Sequence, residues 1–309
     1  MRTTLKISEI ITEWLETMDV KEITRRNYNR KINLWFRWLS ANKIDLRSAT
    51  AKHVIAYKEH LLNTHHSSFT ANGYMVVIKL FYKYCEGKRY CDNIAKNVKS
   101  GFKMTGKNKL PLSMDQARML LRNVDVSTVK GKRDKLMIAL MLFNGLRTCE
   151  VERINIEDVD KREGVPVLYL QRKGKVDKND IVALHPKAVE LFEDYIAERG
   201  NFKACEPLFV SHRDCDRGKV IRLSRNAVAK MVKKRLRAIG INNRKYSAHS
   251  LRHTFGSLLV EEGIDMEDIR ELMGHSSTTV TKIYVELVQQ RKMLHSCPSA
   301  KMIEQLCAF

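Results

Sequence analysis

The chain has 309 residues, room for about two domains at roughly 100–200 residues each, and its 44% hydrophobic content supports a packed core and excludes global disorder. A net charge of +21 with pI ≈ 9.7 points to a polyanionic partner. No apolar run approaches the roughly 18 residues of a membrane-spanning helix, Glu9, Glu13 and Glu16 break up any signal-peptide pattern, and seven cysteines without CxxC spacing read as free thiols of a reduced, cytosolic protein with no metal site.

The first 90 residues are expected to form a bundle of about four helices. Ile7, Ile10, Ile11, Trp14 and Leu15 recur at helical spacing, and Asn27–Ser40 carries Tyr28, Ile32, Trp35, Phe36 and Leu39 on one face. Ala51–Leu62 and Thr70–Tyr84 supply two further helices. The aromatic residues at this spacing are core rather than base-stacking platforms. Arg25, Arg26, Arg30 and Lys31 open the second helix as candidate DNA contacts. The positive field is densest at this end, where residues 1–110 hold 21 Lys and Arg against 9 Asp and Glu. Residues 91–110 read as a basic linker, with Lys103, Lys107 and Lys109 as further candidate DNA contacts.

A second domain is expected over 111–309. Ser113 is placed to cap a helix, with Gln116 three residues later. Lys132–Asn144 is a helix ending at Gly145. Two strand-like runs, Val165–Gln171 and Asp180–Leu184, flank a basic, turn-rich hairpin over 172–179 that includes Lys175 as a candidate DNA contact. Helices follow at about 186–198, 225–238, 249–262, 265–273 and 278–290. The tail from Ser299 carries Met302, Ile303, Leu306 and Phe309 at helical spacing. The expected fold class is therefore mainly α with a small antiparallel β-sheet.

Three local motifs carry the chemistry. Arg147 and Glu150 follow Gly145; His249 and Arg252 share one face of a helix; Gly274-His275 precedes Tyr284 by nine residues. Each motif is weak by itself, because a helical HxxR or a tyrosine on an apolar face is usually structural. Their order and spacing make the set. Two arginines, two histidines and a tyrosine suit a phosphodiester, whose non-bridging oxygens need neutralising and whose phosphorus needs a nucleophile able to hold it covalently.

On these residues the chain resembles the tyrosine recombinase (phage integrase) family, in its Xer-like two-domain branch. The resemblance rests on Arg147 with Glu150, on His249-Ser250-Leu251-Arg252-His253-Thr254-Phe255, on Leu272-Met273-Gly274-His275 and on Tyr284. It implies a four-helix SAM-like core-binding domain followed by an α+β catalytic domain. The family's hairpin lysine, often in a GKG turn, is matched best by Lys173, although Arg172 replaces the first glycine and Lys175 and Lys178 lie nearby. The resemblance implies that Tyr284 forms a 3′-phosphotyrosyl bond, Arg147 and Arg252 hold the phosphate, His249 relays the tyrosine proton and His275 hydrogen-bonds the phosphate. Lys173 would protonate the leaving oxygen, and Glu150 would orient the arginines. It further implies double-stranded DNA as partner, a homotetramer on paired sites with the C-terminal helix docking on a neighbouring protomer, and no metal, ATP or other cofactor.

The rival readings are a type IB topoisomerase-like enzyme and a catalytically silent DNA-binding relative. Within the family, dimer resolution, integration and excision, and inversion all remain open. A helical bundle that begins almost at Met1 leads us to expect no additional arm-binding domain.

Overall fold

A computed structural model describes residues 6–64, 66–99, 109–200, 202–212, 220–275 and 277–296. The chain divides into two compact units, Met1–Lys107 and Asn108–Phe309.

Four helices build the first unit: α1 (Ile7–Glu16), α2 (Glu22–Ala41), α3 (Ala51–Asn63) and α4 (Ser68–Gly87). Trp14, Trp35, Tyr57, Met75 and Phe81 fill its core. The buried Trp35 donates its indole N–H to the Tyr82 hydroxyl at 3.3 Å, so the large aromatic surface is buried without an unsatisfied donor. Ser67 caps α4 by accepting from the Thr70 N–H. The packed unit extends beyond the boundary expected at residue 90. Ala95 and Val98 are buried in the same core, and Lys58 donates to the Lys99 carbonyl at 3.0 Å. Lysines and asparagines are interleaved there with the few apolar anchors, among them Ile94, which packs against the same core, and mask them.

In the second unit, α5 (Met114–Arg122) starts at the reciprocal Ser113–Gln116 cap. Then comes α6 (Val129–Phe143), buried along nearly its whole length and packed against later helices on several sides. Its polar pair Arg133–Asp134 is buried but satisfied: Arg133 reaches the Val210 carbonyl at 2.7 Å, and Arg235 reaches Asp134 at 2.8 Å. The short α7 (Thr148–Arg153) leads to a three-stranded antiparallel sheet, β1 (Val159–Arg162), β2 (Val165–Leu170) and β3 (Asp180–Ala183), in the order β1-β2-β3. Five helices complete the unit: α8 (Pro186–Arg199), α9 (Arg225–Ala238), α10 (Ala248–Glu261), α11 (Met266–Met273) and α12 (Thr278–Ser296).

Strand β1 was not expected. It is an edge strand of sequence Val-Asp-Lys-Arg, charged and largely exposed, so it lacks the alternation that marks a half-buried strand. Its pairing is made by the two-residue turn Glu163-Gly164, both with positive φ, which sets Arg162 opposite Val165. The sheet's register places Leu168 and Leu170 in the core and projects the β2–β3 loop from its far end. No described helix is long and apolar enough to cross a membrane.

Candidate active site

The site grows from two glycine turns. α6 is capped by Asn144, and Gly145 follows with φ +63°, a backbone conformation that side chains disfavour. A Cβ there would lie 2.4 Å from the Phe255 ring. This tight turn delivers Arg147 to the N-terminus of α7. Glu150, one turn later, accepts from the Arg147 backbone N–H at 2.8 Å and from its guanidinium at 2.7 Å. The carboxylate thereby satisfies a helix-end donor and aims the guanidinium at once.

The second turn ends α11. Gly274 has φ +57°, and the His275 N–H closes onto the Arg270 carbonyl at 2.9 Å. A Cβ on Gly274 would meet the Arg172 side chain at 2.8 Å. Both catalytic-candidate arginines reach this segment: Arg147 donates to the Gly274 carbonyl at 3.2 Å, and Arg252 donates to the Met273 and Gly145 carbonyls. Arg252 therefore straps one glycine turn to the other.

His275 is buried, and its Nδ1 lies 3.0 Å from the Thr281 hydroxyl in the first turn of α12. Its ring stacks on Tyr284, with centroids 5.9 Å apart and planes 17° apart. The Tyr284 ring, 2% exposed, also meets the edge of His253 at 5.4 Å. Gly256 makes that seat possible, since a Cβ there would come within 2.9 Å of the tyrosine ring. His249 lies on the same helix one turn before His253, with ring centroids 5.6 Å apart.

Charge is concentrated here. Glu150 is surrounded by Arg147 at 2.7 Å, Arg172 at 3.6 Å and Arg252 at 4.0 Å. Three guanidinia around one buried carboxylate leave an uncompensated positive field suited to an anion. The field has consequences for the neighbouring groups. Burial, then Arg252 and Arg147, hold His275 down to about 3. Burial and the nearby His249 hold His253 at about 4. His249 is lowered by desolvation, then by Arg252, Arg147 and Lys173. All three are neutral at neutral pH, which leaves His249 able to accept a proton. Burial raises the Tyr284 phenol, and Arg252 and Arg147 oppose that rise.

These shifts set a pH dependence of stability. Above about 6.5 the histidines are neutral in both folded and unfolded chains and contribute none. Below it, the unfolded chain binds protons that the folded site refuses. Stability is therefore expected to fall as pH drops from about 6.5, with the loss continuing to about 4 for His253 and about 3 for His275. Denaturant melts between pH 7.5 and 4.5 check this; a flat profile would contradict it.

The β2–β3 hairpin separates its lysines. Lys175 pairs with Asp180 at 2.7 Å, and Lys178 pairs with Asp158. Lys173 is exposed and makes no hydrogen bond or ion pair among the described residues, and it is one of the charges that lower His249. The candidate DNA contacts are mostly outside this cluster. Arg25 donates to the Leu15 and Met18 carbonyls, tying α2 to the end of α1, a structural task invisible in the sequence. Arg26 pairs with Glu22, Arg30 is exposed, and the Lys31 ammonium lies 5.5 Å over the Tyr74 ring. Lys109 donates to the Arg244 carbonyl at 2.6 Å. Lys103 and Lys107 lie outside the described residues. Among the described residues, no group of three or more His, Cys, Asp or Glu is arranged to hold a metal.

Comparison with known proteins bears on this constellation. The model of the phage integrase family matches residues 111–291, and that of the phage integrase N-terminal SAM-like domain matches residues 11–88. The chain belongs to the phage integrase family. Among tyrosine recombinases, it is 31% identical to XerC of Thermodesulfovibrio yellowstonii over 68% of each chain. It is 25% identical to XerD of Yersinia pestis over 91% of this chain and 92% of that one. The fold matches XerH site-specific recombinase bound to palindromic difH substrate with a TM-score of 0.74, at 21% identity, over 96% of this chain and 84% of that one. It matches a lambda integrase dimer bound to a COC′ core site at 0.70, with 16% identity, over 91% and 77% of the two chains.

For this tyrosine recombinase, the structure brings Arg147, Glu150, His249, Arg252, His275 and Tyr284 together, with Lys173 on the adjoining hairpin. Arg172, Gly256 and Thr281 join the site without belonging to any of the three sequence motifs. The replacement of a turn glycine by Arg172 was the one signal that marked any of them.

Proposed function

We propose that Tyr284 is the nucleophile of a site-specific strand exchange and that Arg147 and Arg252 hold the scissile phosphate. The observation that carries this reading is a single junction: both arginines bind the Met273–Gly274 segment, and His275, which follows it, lies flat against the Tyr284 ring. An arginine pair beside a tyrosine, in a pocket with net positive charge, matches a phosphodiester whose charge grows as it becomes pentacoordinate.

In this reading the Tyr284 oxygen attacks phosphorus and loses its proton to the neutral His249. The P–O5′ bond breaks, and Lys173 donates a proton to the leaving 5′ oxygen. His275 hydrogen-bonds the phosphate, and Glu150 keeps the arginines aimed. The product is a 3′-phosphotyrosyl link and a free 5′-hydroxyl. A 5′-hydroxyl from the partner strand reverses the step, so bond energy is conserved and neither ATP nor a metal is required. Tyr284 is 2% exposed, so in-line attack requires α12 to move outward.

Site-specific recombination is the activity of this family, and the partner here is double-stranded DNA at paired sites. We place the protein in the cytoplasm as a homotetramer on synapsed DNA, acting in integration and excision, inversion or dimer resolution. The apolar positions Met302, Ile303, Leu306 and Phe309, outside the described residues, support docking of the tail on a neighbouring protomer.

The test is covalent trapping in EDTA on nicked duplexes drawn from the flanks of the protein's own gene and from circularised copies of it. A DNA-linked band that resists SDS is expected. Cleavage abolished by EDTA would sink the mechanism, and relaxation of any supercoiled plasmid without a preferred site would identify a topoisomerase instead.

A further inference from the structure

We propose that Arg172 is a positioning residue that pins the β2–β3 turn to the Met273–Gly274 segment, so that Lys173 is held ready to protonate the leaving 5′ oxygen. The inference rests on the reading of Lys173 as that acid.

The loop between β2 and β3 spans residues 171–179, and within it Arg172 alone is buried. Its neighbours Lys173, Gly174, Lys175, Val176 and Asp177 are exposed. A loop of this length with no apolar anchor would leave the lysine's position to chain entropy. Arg172 supplies the anchor. Its Nη2 donates to the Leu272 carbonyl at 2.9 Å, and its Nη1 lies 3.6 Å from Glu150. Its Nε sits against Gly274, close enough that a Cβ there would intrude.

The anchor acts directly on Lys173. The Lys175 N–H closes onto the Arg172 carbonyl at 3.1 Å, and Gly174 has φ +100°. Arg172 is thus the first residue of a β-turn and Lys173 the second. Clamping the first residue fixes the direction in which the second projects. The Gln171 amide donates to the Lys175 and Val176 carbonyls and steadies the other side of the turn. Where relatives carry a glycine at this turn position, no side chain can make such a link.

Glu150 is the hub of the arrangement. The same carboxylate that aims Arg147 attracts Arg172, so the phosphate-binding and proton-donating halves of the site share one buried charge. Arg172 keeps Nε and Nη1 without hydrogen bonds. A direct phosphate contact is therefore the competing role, and the two roles differ in which chemical step they affect.

A sulfur-for-oxygen exchange at the leaving atom separates them. On a 5′-bridging phosphorothiolate duplex, the P–S bond breaks and the thiolate departs without needing an acid. The substrate is the duplex cleaved in the trapping experiment, made with oxygen or sulfur at that atom. The variants are Lys173→Ala, Arg172→Gly and Arg172→Met; methionine refills the buried volume without donors and leaves the Arg147–Glu150 pair in place. On oxygen, Lys173→Ala is expected to cleave roughly 10²–10⁴-fold slower, the span of general-acid catalysis. The Arg172 variants are expected to be about 10–100-fold slower, the cost of a misplaced group. On sulfur, all are expected to return to the wild-type rate. The double variant Arg172→Met/Lys173→Ala should cleave the oxygen substrate no slower than Lys173→Ala alone.

If Lys173→Ala is rescued but Arg172→Met is slow on both substrates, Arg172 acts on the phosphate or the fold, and the proposal fails by itself. Wild-type rates for both Arg172 variants would also overturn it. If Lys173→Ala is not rescued, the reading of Lys173 fails beneath it.

Discussion

Replacing Tyr284 by Phe is expected to abolish the covalent DNA–protein band completely while leaving DNA affinity within about twofold of wild type. The reason is chemical: among the described residues, no other side chain of the cluster offers an oxygen nucleophile in contact with both His275 and His253. The fold should tolerate the change. The ring is 2% exposed and packed over Gly256, and phenylalanine keeps every ring contact. Burial already disfavours the phenolate, and losing the hydroxyl removes the reactive atom. Gel-shift and SDS-gel assays on the same preparation separate the two effects. A band that persists in Tyr284→Phe would assign the nucleophile to another residue.

Arg252→Ala should have the second largest effect, because it would remove both the proposed phosphate contact and the observed carbonyl contacts. Losing one fixed positive donor at a charge-developing oxygen costs roughly 10²–10³ in rate in comparable sites. The structural loss adds to it. Arg252 is buried and donates to the carbonyls of Gly145 and Met273, which would both be left without that donor. Buried polar groups stripped of a partner cost about 1–3 kcal/mol each. The variant should therefore melt earlier as well as cleave at least a hundredfold slower. Arg252→Lys should regain part of the charge but not both carbonyl contacts, since an ammonium is a point charge on a flexible stem. Thermal melts beside single-turnover cleavage test this pair. A variant that melts early but cleaves at the wild-type rate would assign Arg252 to the fold alone.

The arginine cluster also explains why neutral histidines can coexist in one site. Burial is the largest influence on each, and the guanidinia add to it for His275 and His249. An imidazole that stays neutral can accept the tyrosine proton without first losing one of its own. In the proposed mechanism, the field that favours an anionic phosphate also keeps His249 neutral and so available as the proton acceptor.

Much of this was legible in the chain itself because the signals are local. Helical spacing of apolar residues located most helices of both units, though not the six-residue α7, and Ser113 with Gln116 marked a helix start that the structure contains. Gly145 and Gly274 could be read as helix ends because a left-handed backbone favours glycine. The edge strand β1 escaped because its charged residues serve solubility rather than a core. The packed end of the first unit escaped because only a short apolar set, Ile94, Ala95 and Val98, carries the contact amid polar neighbours.

The sequence by itself determined the family, the helical periodicity, the positive charge and which residues are candidates for the chemistry. These depend on residue type and short spacing. Only the tertiary structure decided which cations remain available. Lys175 and Lys178 meet Asp180 and Asp158, and Lys173 meets no such partner among the described residues. It also decided that Arg172 turns inward to Leu272 and Glu150, and that Arg25 serves the end of α1. Ion pairs and buried hydrogen bonds are set by distances of a few ångströms between segments a hundred or more residues apart. Such distances exist only once the core has brought those segments together.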